Sequence, residues 1–227
     1  MSAAPTRVLV HGAWGAGFVW DAVASHLDAQ GKPYVVVDQM PTSGPDPAAL
    51  GTTDDDADHL RAILDGLDGP ARLVGHSWGG WAVTEVAGHP AVESSVYVAA
   101  FWPRPGQSVM DLFTDHGAPT FMEPHDDRSL RITDDVDLAH AELAADVSLE
   151  EWEAVHHRLG YLTMESQVVS APAVERHDET TYVVCTEDRA ISPALQEEMA
   201  VRADHVVRLD SAHCPNLSRP EELASLL

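Results

Sequence analysis

The sequence has few cysteines and no long apolar run. Its two cysteines, Cys185 and Cys214, are too few for a disulfide framework, and neither lies in a C-x-x-C pair of the kind that binds zinc. We therefore expect two free thiols. No apolar segment approaches the roughly 20 residues that a membrane span requires, and residues 1–6 lack a basic and apolar signal segment. These absences predict a cytoplasmic protein with no membrane partner.

Basic residues are also scarce. The chain has 13 lysine and arginine residues against 37 aspartate and glutamate residues, which gives a formal net charge of −24. A surface of this charge repels nucleic acid and anionic membranes, so both are excluded as expected partners. Acidic runs such as Asp54–Asp56 are interpreted as a solvated face.

Apolar runs and helical patterns alternate along most of the 227 residues. An alternation of this kind predicts one α/β domain, residues 1–227, with a mostly parallel sheet of about six strands and helices on both faces. The predicted strands are Arg7–Val10, Tyr34–Val37, Ala71–Val74, Val96–Ala100, Thr181–Cys185 and Val206–Leu209.

The alternation stops between residues 103 and 172, where acidic residues are mixed with aromatic ones. We interpret this segment as a small helical cap inserted over the catalytic edge of the sheet. Trp152 and Tyr161 are candidates for the wall of a substrate pocket, although such side chains also commonly form a cap's own core. His156 and His157 are adjacent and not spaced as helical metal ligands, so we expect no metal.

A serine between glycines marks the centre of the predicted site. Gly75-His76-Ser77-Trp78-Gly79 lies where a predicted strand gives way to a helical pattern. This spacing is typical of a nucleophile elbow, in which a sharp turn lifts the serine side chain clear of the sheet. Ser77 is therefore the candidate nucleophile.

Two further strand ends supply the partners that a serine nucleophile needs. Asp188 follows the fifth predicted strand, and His213 lies in the loop after the sixth. A histidine must take the serine proton, and a carboxylate must fix the tautomer of that histidine. Glu187 and Asp210 are nearby carboxylates, but Asp188 has the better spacing, whereas His11 and His76 lie in turns where packing or hydrogen bonding is the simpler role.

The order Ser77, Asp188, His213 is the order found in α/β-hydrolases. The stretches that carry the resemblance include His11-Gly12-Ala13-Trp14, Gly75–Gly80, Ala99-Ala100-Phe101, Cys185–Asp188 and Ala212-His213. Over this core, but not over the cap, the chain resembles the plant methylesterase and hydroxynitrile lyase branch of that superfamily and its bacterial esterase relatives. The resemblance implies the α/β-hydrolase fold, the triad Ser77, Asp188 and His213, an oxyanion hole formed by the N–H groups of Ala13 and Trp78, and no cofactor.

We therefore expect a serine carboxylesterase that cleaves a small or medium ester through an acyl-enzyme. The alternatives are a hydroxynitrile lyase and a receptor-like hydrolase with little turnover, and a homodimer remains open. Related lyases have threonine in place of Gly12 and lysine in place of Cys214, which favours the esterase. The pocket candidates are Gly12, Trp14, Phe101, Trp152, Tyr161 and Cys214.

Overall fold

Ten strands form two sheets in the part of the chain that the structure describes. The structure is a computed structural model, and it describes residues 4–114, 116–117, 119–176 and 178–227. The strands, in chain order, are β1 Thr6–Val10, β2 Tyr34–Val36, β3 Ser43–Gly44, β4 Ala71–His76, β5 Val92–Val98, β6 Met122–Pro124, β7 Ser129–Ile132, β8 Tyr161–Thr163, β9 Glu179–Cys185 and β10 His205–Leu209.

The larger sheet has six parallel strands in the order β10-β9-β5-β4-β1-β2. All six predicted strands are present, which confirms the parallel α/β sheet. The pairing of β1 with β4 shows how the site is positioned, because Val10 at the end of β1 pairs with Gly75 near the end of β4. Because parallel strands end at the same edge, the loops that follow β1 and β4 meet there.

Helices cover both faces of this sheet. Their bounds are α1 Asp21–Ala29, α2 Thr53–Asp65, α3 Gly79–Val86, α4 Val109–Leu112, α5 Val136–Leu143, α6 Leu149–His156, α7 Pro193–Ala200, α8 Pro215–Ser218 and α9 Pro220–Leu226. The apolar residues of α1 and α9 pack in one buried cluster with one face of the strands, and those of α2, α3 and α7 pack in a second cluster with the other face. Short 3-10 turns occur at Gly17–Trp20, Pro47–Ala49 and Met164–Gln167.

The cap contains strands as well as helices. Helices α4, α5 and α6 lie within residues 103–172, as expected, but β6, β7 and β8 lie there too. These three strands and β3 form an antiparallel sheet in the order β3-β8-β7-β6, so the cap is joined to the loop after β2. Apolar residues of the cap share a buried cluster with the main sheet. No helix in the described ranges is long and apolar enough to cross a membrane.

Candidate active site

Ser77 lies in the turn between β4 and α3, with a positive φ of 53°. The glycines on either side permit this turn. A Cβ on Gly75 would lie 2.7 Å from the carbonyl oxygen of Gly79, and a Cβ on Gly79 would lie 2.7 Å from that of His11. These approaches are too close for any side chain, so the turn requires glycine at both positions. Ser77 therefore has the backbone geometry of a nucleophile elbow.

Three strand ends bring Ser77, His213 and Asp188 into one hydrogen-bonded line. The distance from His213 Nε2 to Ser77 Oγ is 2.9 Å, and that from His213 Nδ1 to Asp188 Oδ2 is 2.7 Å. All three residues are buried. The geometry matches that of a nucleophile, a general base and an orienting carboxylate. Glu187 and Asp210 are exposed, and neither forms a hydrogen bond with His213 in the described part of the chain.

A buried network holds Asp188. Its Oδ1 accepts the N–H groups of Ala190 (2.8 Å) and Ile191 (2.9 Å), and its Oδ2 accepts the side-chain amide of Gln196 (2.8 Å). The Gln196 carbonyl in turn accepts the N–H of Cys185 at 2.9 Å, which ties α7 to the end of β9. Sequence reasoning missed Gln196, because one glutamine on a helix carries no signal that it faces inward.

His76 holds the loop of the catalytic histidine. Its Nε2–H donates to the backbone carbonyl of His213 at 2.8 Å, and the two rings lie 4.9 Å apart between centroids. Burial, together with the proximity of His213, lowers the pKa of His76 to about 3. The ring is therefore neutral, which agrees with the hydrogen-bonding role expected for it.

The loop after β1 places Ala13 beside Ser77. Neither the N–H of Ala13 nor that of Trp78 donates to an acceptor among the described residues, and both residues line a cavity next to Ser77 and His213. Trp14 has a positive φ of 61°, its indole N–H donates to the carbonyl of Leu130 at 3.0 Å, and its own carbonyl accepts the N–H of Gly160 at 2.8 Å. These bonds fix the turn in which Ala13 lies.

Two cavities flank Ser77, and both also touch Ala13, Trp14, Leu143 and His213. The first, of about 460 Å³, is called the Trp152 chamber and is lined further by Gly12, Gly15, Val19, His76, Ile132, Trp152, Val155, Leu159, Cys214, Asn216 and Leu217. The second, of about 380 Å³, is called the Phe121 chamber and is lined further by Trp78, Phe101, Phe113, Pro119, Phe121, Met122, Leu162, Gln167, Ala190 and Ile191. Each has a largely apolar wall, as small-molecule pockets commonly do.

Five of the six predicted pocket residues line these chambers, and Tyr161 does not. Gly12, Trp14, Trp152 and Cys214 line the first chamber, and Trp14 and Phe101 line the second.

Tyr161 was predicted to line the substrate pocket, and the structure corrects this prediction, because Tyr161 lies outside both chambers. Side chains alternate along β8, so the buried Leu162 faces the Phe121 chamber while Tyr161 points to the other side. There its ring contacts His125 and Arg131.

A model of the alpha/beta hydrolase family matches residues 8–226 of the chain. The chain belongs to the α/β-hydrolase family. This α/β-hydrolase is 25% identical to the probable hydrolase R7 of Phoma sp. over 238 aligned residues, which cover 98% of the chain and 96% of that protein.

Solved structures of other hydrolases have the same fold. A pyrethroid hydrolase from Sphingobium faniae gives a TM-score of 0.86 at 23% identity, with 99% of this chain and 96% of that chain covered. A methylesterase from Arabidopsis gives 0.81 at 21% identity, with 98% and 96% covered. The family match and the structural likeness confirm the predicted α/β-hydrolase family and fold. Relatives that match the chain in sequence are named hydrolase, esterase and pyrethroid hydrolase.

The α/β-hydrolase contains no group of three or more histidine, cysteine, aspartate or glutamate side chains placed to hold a metal ion, as far as the described residues extend. The acid-base chemistry available beside Ser77 is that of His213 and Asp188. Burial, followed by the proximity of Asp188, raises the pKa of the Cys214 thiol well above its ordinary value, so Cys214 adds a neutral group to the Trp152 chamber.

Proposed function

We propose that the protein is a serine carboxylesterase that works through an acyl-enzyme on Ser77. The observation that carries the proposal is the unbroken line of hydrogen bonds from Ser77 Oγ through His213 to Asp188, beside two N–H groups that have no acceptor in the described chain. His213 Nδ1–H donates to the Asp188 carboxylate, which leaves Nε2 unprotonated and able to accept the serine proton.

The reaction then follows from these positions. As Oγ attacks the ester carbonyl carbon, its proton moves to His213 Nε2, and the carbonyl oxygen becomes an oxyanion that accepts the N–H groups of Ala13 and Trp78. His213 returns the proton to the departing alkoxide, which leaves as the alcohol. Water, deprotonated by His213, next attacks the acyl-enzyme. The bond between the acyl carbon and Ser77 Oγ breaks, the acid is released, and His213 returns the proton to Oγ.

The two chambers support a substrate with an apolar group on each side of the ester. Ser77 and His213 lie where the chambers meet, so the acyl part and the alcohol part would each occupy one of them. The Phe121 chamber is rich in aromatic rings, whereas the Trp152 chamber is mainly aliphatic. A neutral ester with at least one aromatic part fits this division, and a relative named pyrethroid hydrolase has the same fold.

Two positions favour hydrolysis over cyanohydrin cleavage. A Cβ on Gly12 would lie 3.0 Å from the Cβ of Ser77 and 3.2 Å from His76 Nδ1, so a threonine there would require these neighbours to move. Cys214 is neutral and carries no ammonium to stabilise a departing cyanide. The intact hydrogen bond between Ser77 and His213 favours turnover over a receptor role.

The test is turnover of a panel of p-nitrophenyl, methyl and aryl esters, with mandelonitrile included. Ester hydrolysis that Ser77→Ala abolishes is the expected result, with mandelonitrile cleaved no faster than in buffer. Cyanide release that depends on Ser77, without ester hydrolysis, would reassign the protein as a lyase. Tight binding of esters without turnover of any would support the receptor alternative.

A further inference from the structure

His11 is fully buried behind the loop that carries Ala13. Its Nδ1 lies 2.8 Å from the carbonyl oxygen of Gly12, and its Nε2 lies 3.1 Å from the backbone nitrogen of Met40. Both ring nitrogens are therefore engaged by backbone groups, which leaves no free position for contact with a substrate.

These partners fix the tautomer of the ring. A backbone N–H only donates, so Nε2 must accept the N–H of Met40 and carries no proton. A carbonyl oxygen only accepts, so the single proton of the neutral ring is on Nδ1 and is donated to Gly12. Burial is the main cause that lowers the pKa of His11 to about 4, which keeps this neutral form at neutral pH.

The carbonyl of Gly12 and the N–H of Ala13 belong to the same peptide unit. The peptide is trans and planar, so its N–H points opposite to its C=O. A donor that holds the carbonyl on the side of His11 therefore directs the Ala13 N–H toward the opposite side, where Ala13 borders both chambers next to Ser77.

We propose that His11 is the positioning residue of the oxyanion hole, because its Nδ1–H fixes the Gly12–Ala13 peptide plane and so aims the Ala13 N–H at the developing oxyanion. The proposal rests on the serine-esterase function proposed above. It assigns to His11 an effect on the transition state and none on ground-state binding.

The segment that anchors His11 also contacts the side chain of Trp78, whose backbone N–H is the second oxyanion donor. Met40 donates to His11, and two residues later the N–H and the hydroxyl of Thr42 donate to the buried carboxylate of Asp56 at 2.8 Å and 2.6 Å. The hydroxyl oxygen of Thr42 accepts the indole N–H of Trp78 at 3.2 Å. Residues 40–42 therefore form hydrogen bonds with residues on both sides of the oxyanion hole, and the buried carboxylate of Asp56 in α2 holds this segment in place.

Two substitutions of His11 distinguish a role in positioning the Gly12–Ala13 peptide from a role in packing. In His11→Asn the carboxamide N–H is close enough to the backbone to donate to Gly12, but the side chain is too short to reach Met40. In His11→Gln the longer side chain offers its oxygen to Met40 and no donor to Gly12. A packing role would favour the glutamine variant, whereas the proposed role favours the asparagine variant.

The experiment measures kcat and KM for an aryl ester in wild type, His11→Asn, His11→Gln and His11→Ala, with the thermal midpoint of each. We expect kcat to fall by about 10²-fold or more in the Gln and Ala variants and by less than about tenfold in the Asn variant, with KM nearly unchanged. Inhibition by a trifluoromethyl ketone, which forms an oxyanion on Ser77, should weaken in parallel with kcat. Binding of the matching methyl ketone should not change.

The outcomes distinguish this proposal from the one on which it rests. If the wild type hydrolyses esters and the folded Gln variant equals or exceeds the Asn variant, the role of His11 is wrong and the esterase function stands. An effect on KM alone in all three variants would also overturn the role. If the wild type neither hydrolyses esters nor binds the trifluoromethyl ketone, the esterase function fails, and the role of His11 fails with it.

Discussion

Several buried polar residues support the site, and the sequence identifies only some of them. Asp56 belongs to an acidic run that we interpreted as a solvated face, and for this residue the interpretation is wrong: its side chain is fully buried and accepts two hydrogen bonds from Thr42. Its pKa is raised to about 6, chiefly by burial. Asp54 and Asp55 are exposed, as expected. Composition alone does not show which member of an acidic run faces the core.

The contrast between Trp152 and Tyr161 gives a prediction about substrate selectivity. Trp152 lines the Trp152 chamber and is almost completely buried, whereas Tyr161 lies outside both chambers. Trp152→Leu enlarges the chamber, so the ratio of kcat/KM for long over short apolar esters should rise by about tenfold. Competition assays with an ester series of increasing chain length measure this ratio.

Tyr161→Leu is the matched control, because it also replaces an aromatic residue of the cap with leucine but leaves the chamber walls intact. Its selectivity should equal that of the wild type. Equal shifts in both variants, or a shift in neither, would contradict the assignment of Trp152 to the pocket.

Helix α3 contains a carboxylate, that of Glu85, whose charged form is destabilised by burial in the folded protein. Glu85 is partly buried against α2, and its Oε2 has no hydrogen-bond partner among the described residues. Burial is the largest cause that raises its pKa to about 7, followed by the proximity of Asp54 and Asp56. Because the folded protein holds this proton more tightly than the unfolded chain, the contribution of Glu85 to stability is greatest below the unfolded pKa. That contribution is lost as the pH rises through the folded pKa.

The Glu85→Gln variant should not show this loss of stability as the pH rises. Between about pH 5.5 and about pH 8.5, the free energy of unfolding of the variant relative to wild type should increase by about 1 to 2 kcal/mol. Urea denaturation at both pH values measures the difference, with Glu93→Gln, at an exposed position of β5, as a control that should show no such change. A pH-independent difference in Glu85→Gln would contradict the buried charge.

Elements that a strong local pattern specifies were predicted, and elements that depend on distant pairing were not. The strands of the larger sheet were predicted because each lies in a short, largely apolar run bounded by turn residues. The strands of the cap are three or four residues long and acquire partners only through the antiparallel sheet that includes β3, far away in sequence. Segments of that length carry too little alternation to be recognised as strands.

At the scale of the whole molecule, the topology of the parallel sheet explains why the triad could be predicted from the order of its residues along the chain. Loops after β4, β9 and β10 lie at one edge of a parallel sheet, so residues separated by more than a hundred positions come within hydrogen-bond distance. The supporting residues Gln196 and Asp56 could not be predicted in the same way. Their roles depend on which side of a helix or turn faces the site, and that is decided by packing across the sheet.

Labelling with a fluorophosphonate tests the central claim, that Ser77 is the nucleophile activated by His213, most directly. Intact-mass analysis of the wild type should show one covalent adduct, and peptide mapping should place it on Ser77. Ser77→Ala should show none, and His213→Ala should react slower by about 10³-fold or more, because the two residues act as one unit. An adduct that persists in Ser77→Ala, or labelling of His213→Ala at the wild-type rate, would contradict the account.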